Sequence, residues 1–129
     1  MNIHRRSFIV GAALASLSTY ALAGDRITYE AASFQAAQEA GKPIIVHIFA
    51  TWCETCQAQA KVLNALQKEA DFAAVTIFVV DYDAQKDVMR GFNTTSRSTL
   101  IAFKGKAELG RLVGDTSSKS IRALLQKTV

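Results

Sequence analysis

The chain has 129 residues, half of them hydrophobic, and a formal net charge of +4 at neutral pH. That length makes one domain with a real core and leaves no room for a second. The charge is mild, no basic stripe is interleaved with aromatics, and neither repeats nor low-complexity tracts occur. Nothing in the chain argues for a nucleic-acid-binding surface.

The first residues read as a targeting segment. Arg5 and Arg6 form a positive start, Phe8 to Leu22 is apolar or small, and Ala21-Leu22-Ala23 is a small-x-small cleavage site. This pattern predicts a signal peptide over residues 1–23, removed to leave a domain of residues 24–129. The apolar run is short and interrupted for a membrane span, although an uncleaved anchor is the competing reading. Arg5-Arg6-Ser7-Phe8-Ile9 is also similar to a twin-arginine export motif, so both the twin-arginine and the Sec route stay open. Without Arg5 and Arg6 the charge falls to about +2.

In chain order, Thr28 to Glu30 is a short extended start, and Ser33 to Ala40 has helical composition and stops at Gly41. Pro43 then opens a strand. Ile44 to Ala50 is almost continuously apolar and β-branched, the pattern of a central strand buried on both faces. A long helix is expected from Cys53 to Ala70, with Cys56, Ala60, Leu63, Leu66 and Ala70 on one face. Val75 to Val80 is a second buried strand, and Gln85 to Gly91 a short helix. Asn93 to Ser98 is a polar loop. Leu100 to Phe103 and Leu109 to Val113 form a hairpin around Gly105. Ser117 caps a final helix carrying Ile121, Leu124 and Leu125. The order β-α-β-α-β-α-β-β-α predicts an α/β fold, a mixed central sheet with helices on both faces.

Cys53 and Cys56 are the only cysteines, and they sit where the central strand runs into the long helix. A helix N-terminus presents free N–H groups and a positive dipole end, which stabilise a thiolate. The thiolate is the nucleophile of disulfide exchange. Cys53, after Trp52, is the expected attacking sulfur, and Cys56, one turn later on the buried face, the resolving one. As a purely structural bridge the pair would close a tiny loop and restrain little. Two thiolates alone do not complete a zinc site, so no metal is assigned. Gln57 directly after Cys56 excludes c-type haem attachment, which needs histidine there.

The segment Ile45-Val46-His47-Ile48-Phe49-Ala50-Thr51-Trp52-Cys53-Glu54-Thr55-Cys56 resembles the strand-to-active-site segment of the thioredoxin family. Ser98-Thr99-Leu100, with Phe103, Lys104 and Gly105, is similar to the loop, strand and turn that face it. Val113-Gly114 and the last helix are similar to the family's C-terminal end. The resemblance implies a thioredoxin-like fold, thiol–disulfide chemistry on protein substrates, and no cofactor beyond the cysteine pair.

Four departures from the family pattern bear on mechanism. Glu54-Thr55 stands where thioredoxins carry Gly-Pro. The family suggests that such a change makes the pair more oxidising, whereas the negative charge of Glu54 disfavours the Cys53 thiolate. His47 stands where the family has a buried Asp, and is expected to shuttle a proton for Cys56. Ser98 replaces the family's cis-proline. A non-proline cis bond costs about 3–4 kcal/mol, so the Arg97–Ser98 bond is expected to be trans. Ser98 is expected to hydrogen-bond a sulfur or a substrate backbone, or to leave the thiols open to metal. Arg97, if it faces Cys53, lowers that thiol's pKa; otherwise it is a solvated loop residue.

The expectation is thus a periplasmic thiol–disulfide oxidoreductase, monomeric, with Cys53, Cys56 and His47 as its chemistry and Trp52, Arg97, Ser98, Thr99 and Gly114 around the substrate. Because cytosolic reductants do not reach an exported domain, a membrane redox partner is expected to supply or accept the electrons. A non-enzymatic binding module and a metal carrier using both thiols are the alternatives.

Overall fold

A computed structural model describes residues 24–129; the expected leader, residues 1–23, lies outside the described residues. The elements run β1 (Arg26–Thr28), α1 (Ala31–Glu39), β2 (Pro43–Phe49), α2 (Glu54–Gln67), a 3-10 turn (Ala70–Phe72), β3 (Thr76–Asp81), α3 (Lys86–Gly91), β4 (Thr99–Lys104), β5 (Ala107–Val113) and α4 (Ser118–Gln126).

The five strands form one sheet in the order β1-β3-β2-β4-β5. β1 and β2 both run parallel to β3, β4 is antiparallel to β2, and β5 is antiparallel to β4. The apolar β2 is therefore central, as its composition predicts. Successive side chains point to opposite faces, and two cores result. Ile45 joins Ile77, Leu100 and Ala102 under Leu63 and Leu66 of α2 and Ile121, Leu124 and Leu125 of α4. Ile44, Val46 and Ile48 join Phe78, Val80, Ile101 and Phe103 under Phe34 and Ala37 of α1 and Met89 of α3. His47 falls on the α2 side, the one polar residue in the buried stretch of β2.

Local chemistry sets the ends of the helices. Gly41 takes φ +69° just beyond α1, a left-handed turn that glycine adopts without steric cost. The Ser117 hydroxyl accepts the Ser120 N–H at 3.3 Å and caps α4. Some boundaries differ from the sequence pattern. β1 begins two residues earlier than expected, at Arg26. α2 ends at Gln67 rather than Ala70, because a 3-10 turn redirects the chain and drives Phe72 into the core. Ala70 stays exposed and Ala60 half-buried, while Gln59 takes the fully buried place on that helix face.

Candidate active site

Thr51 and Trp52 carry the chain from β2 into α2, and Cys53 is the N-cap of that helix. Its sulfur accepts the Cys56 backbone N–H at 3.2 Å, in the role a serine or aspartate side chain has at other caps. The two thiols are not bonded to one another, so this is the dithiol form. Cys53 retains 4 % exposure and Cys56 none, so only Cys53 is open to a substrate.

Ser98 sits directly against the pair. Its Oγ is 3.2 Å from Cys53 Sγ and 3.1 Å from Cys56 Sγ. A thiolate only accepts, so with Cys53 ionised the Ser98 hydroxyl donates to it. Burial opposes ionisation of Cys53. The Cys56 thiol, the Ser98 hydroxyl, the Cys56 N–H and the Arg97 side chain together outweigh it and bring the Cys53 pKa down to about 7. Burial pushes the Cys56 thiol the other way, and sharing a hydrogen bond with Cys53 adds to that. One sulfur is thus poised to ionise at neutral pH while the other keeps its proton. The Glu54 carboxylate is exposed in the first helical turn and is not among the groups that set Cys53. Thr55, beside it, lines the cleft described below.

No peptide bond among the described residues is cis, so the Arg97–Ser98 bond is trans. The departure from proline is taken up by the backbone instead, with Ser98 at φ +58°. That left-handed conformation costs a non-glycine residue on the order of 1–2 kcal/mol. Three hydrogen bonds hold it. The Ser98 N–H donates to the Ile48 carbonyl at 3.0 Å. The Ser98 carbonyl accepts the Gly114 N–H and the Gln59 side-chain amide, each at 2.9 Å.

His47 does not meet the expectation of a proton shuttle for Cys56. Arg26 places both terminal guanidinium nitrogens 3.2 Å from His47 Nδ1. Arginine has donors only, so Nδ1 must accept, and the ring proton lies on Nε2. That N–H donates to Gln59 Oε1 at 3.0 Å. Both ring nitrogens are therefore committed away from the sulfurs. Burial, with the Arg26 charge beside it, pushes the His47 pKa down to about 3, against a weaker opposing effect of Gln59. Near neutral pH the ring is uncharged and has no free acceptor.

Thr99 also differs from expectation. It is 1 % exposed, and its hydroxyl donates to the Ser96 carbonyl at 2.8 Å, so it supports the loop from inside. Trp52 is 55 % exposed, with its indole N–H donating to Asp83 at 2.8 Å. The Arg97 guanidinium lies 5.0 Å above the Trp52 ring. Beside the sulfurs, Thr55, Tyr82, Ser96, Arg97, Ser98 and Gly114 line an open polar cleft of about 380 Å³. Among the described residues no group of three His, Cys, Asp or Glu side chains converges as a metal site would require.

Sequence reasoning missed Arg26 and Gln59. Gln59 carries a readable signal, since it lies three residues after Cys56 and four before Leu63, a polar residue on the buried stripe of α2. Arg26 carries none, because β1 is too short to show a pattern.

A dithiol at the head of the helix that follows the central strand of such a sheet defines a protein of thiol–disulfide exchange. Comparison with known proteins gives the family. The profile described as "Thioredoxin" matches residues 26–127, and the chain belongs to the thioredoxin family. It is 37 % identical over 95 residues to a thioredoxin of Echinococcus granulosus, covering 73 % of this chain and 85 % of that one. A thioredoxin of Alicyclobacillus acidocaldarius is 32 % identical over 99 residues, covering 77 % and 93 %. Among solved structures, Trxlp from Edwardsiella tarda EIB202 superimposes with a TM-score of 0.75 at 31 % identity, covering 78 % of this chain and 97 % of that one. Thioredoxins are thiol–disulfide oxidoreductases that act on protein disulfides through their own cysteine pair, without a cofactor, and this chain carries that pair as Cys53 and Cys56.

Proposed function

We propose that this thioredoxin-family protein is an exported, periplasmic oxidoreductase of protein disulfides and dithiols, coupled to a membrane redox partner. The unequal cysteine pair carries the chemical part of this reading: one slightly open sulfur with a pKa of about 7 and one closed sulfur that keeps its proton. The N-terminal pattern of Arg5-Arg6, an apolar run and Ala21-Leu22-Ala23 supports export.

In the reducing direction, the Cys53 thiolate attacks one sulfur of a substrate disulfide. The Cys53–substrate bond forms, the substrate S–S bond breaks, and the second substrate sulfur leaves as a thiolate. Cys56 loses its proton to Ser98 Oγ as the Ser98 hydroxyl passes its own proton to that leaving sulfur. The Cys56 thiolate then attacks Cys53 Sγ, the intramolecular disulfide closes, and the first substrate sulfur leaves as a thiolate that takes a proton from water. Two electrons have moved from the pair to the substrate, and the membrane partner returns them. The oxidising direction is the same sequence reversed.

The test is a trapping pair. Cys56→Ser should accumulate a mixed disulfide through Cys53 with a disulfide-bonded protein substrate, and Cys53→Ser should form none. Equal trapping by both variants, or by neither, overturns the assigned roles. Expression of the full chain, followed by cell fractionation and N-terminal sequencing, should find a periplasmic protein starting near Gly24. An unprocessed chain in the cytosol overturns the export part alone.

A further inference from the structure

The cavity beside β1 and α1 is lined by apolar and polar side chains in equal number and brings together no nucleophile or metal-ligand set. The exposed Trp52 belongs to the site already described. The feature the mechanism leaves unused is Arg26, a half-buried cation on the α2 side of the sheet. β1 is parallel to β3, with Arg26 level with Ile77 and Ile45, two residues short of His47. The side chain therefore runs along the strand direction to reach His47, and its guanidinium also lies 5.3 Å from the centre of the Phe49 ring. Phe49 in turn packs on Ala50, Cys53 and Cys56.

The charge is not neutralised there. The ion pairs among the described residues join Arg90 to Asp87, Arg111 to Glu108, and Arg122 to Glu69, and none includes Arg26. Its chain neighbour Asp25 lines the cavity beside α1, and the elements packed on the α2 side supply no ion-pair partner among the described residues. From β2 comes the neutral His47. From α2 come Gln59 and the sulfurs, with Glu54 exposed at the helix start. From beyond β3, Asp81 accepts the backbone N–H groups of Asp83 and Ala84, and Asp83 accepts from Trp52. After β5, Asp115 turns its carboxylate to the Ser117 N–H. An arginine keeps its proton at any working pH. A permanent positive charge thus lies against His47 and Phe49, and Phe49 separates it from the sulfurs, whose thiolate is the anion available on that face.

We propose that Arg26 is a positioning residue that biases the Cys53–Cys56 couple toward the dithiol, making the protein a more oxidising thioredoxin, while it locks His47 into its single neutral form. This rests on the oxidoreductase reading above. The physical reason is a difference between states. The dithiol form carries a thiolate that a nearby cation stabilises, and the disulfide carries no charge for it to act on. Stabilising the reduced form raises the reduction potential. The same cation favours the Cys56 thiolate in the mixed disulfide and speeds its resolution. Burial lowers the Arg26 pKa, and its electrostatic attraction to Cys56 opposes that.

The experiment is a reduction potential for the purified chain in graded glutathione buffers, with the thiolate followed by its ultraviolet absorbance across pH. Arg26→Gln should shift the glutathione equilibrium toward the disulfide by ~3- to 10-fold, about 15 to 30 mV for a two-electron couple. It should also lengthen the life of the mixed disulfide. Arg26→Lys keeps the charge without the two-pronged contact to His47, and should stay within about twofold of the parent. Should the glutamine variant not fold, Arg26→Met keeps the packing of the stem and replaces it. A folded neutral variant with an unchanged potential overturns the proposal, as does a lysine variant that falls as far as the neutral one. A parent chain with no reversible two-electron couple overturns the oxidoreductase reading itself, and this inference with it.

Discussion

Acid should destabilise this protein in a window that belongs to His47. In the folded chain its pKa is about 3, because the ring is buried against Arg26. In the unfolded chain it returns to the ordinary value of about 6.5. Between those values the unfolded state binds one proton more than the folded state, so stability rises with pH across the window and is lost as pH falls through it. The slope approaches about 1.4 kcal/mol per pH unit, which amounts to about 2 kcal/mol between about pH 6.5 and 4.5. That is a large share of a typical domain stability of about 5–15 kcal/mol. The cysteines act elsewhere. Cys53, with its pKa lowered to about 7, adds stability to the reduced form only above that pH. The Glu108 carboxyl, held down by Arg111, acts below the ordinary carboxylate range. Urea unfolding of the reduced protein, followed by Trp52 fluorescence at half-unit pH steps, measures the slope. His47→Gln should flatten it. A stability that is level from about pH 6.5 to 4.5, or that keeps the same slope in the His47→Gln variant, would refute the buried neutral imidazole.

Three further outcomes follow from the site. Ser98→Ala removes a hydrogen bond to the thiolate worth about 1.5 kcal/mol, so the Cys53 pKa should rise by about one unit in a titration by ultraviolet absorbance. Gln59→Leu leaves the His47 N–H and the Asp115 carbonyl without partners, and should cost about 3 kcal/mol in denaturant unfolding. The rate of attack on a model disulfide should rise about tenfold per pH unit below pH 7 and level off above it, as the Cys53 thiolate fraction does; a flat profile would exclude Cys53 as the nucleophile.

The sheet and its two helical layers were legible because hydrophobic pattern alone determines them. The unbroken apolar run of β2 marks a centre strand, and the spacing of Cys56, Leu63 and Leu66 marks the inner face of α2. The cysteine pair and its place at a helix start were legible for the same reason. The role of His47 was not. A ring's protonation depends on what surrounds it, and its neighbours come from residues 21 positions before and 12 after it in the chain. The short β1 gave no periodicity to announce that Arg26 faces inward. Thr99 shows the opposite difficulty: its position beside Ser98 is readable, but the direction of its hydroxyl, inward to Ser96, is decided by a turn that only the folded loop displays.

One amide group gives the catalytic end of the molecule its mechanical character. Gln59 receives His47 on its oxygen and gives its two hydrogens to Ser98, ahead of β4, and to Asp115, beyond β5. A central strand, a helix and two loops that are distant along the chain are joined at a single point inside the protein. Neither loop can lift without stripping that amide, and stripping it strands the polar groups of the other. The backbone hydrogens of Ser98 and Gly114 should therefore exchange with solvent at matched rates, through one concerted opening rather than separate frays. The sulfurs sit beside that joint, against Ser98, whose carbonyl it holds.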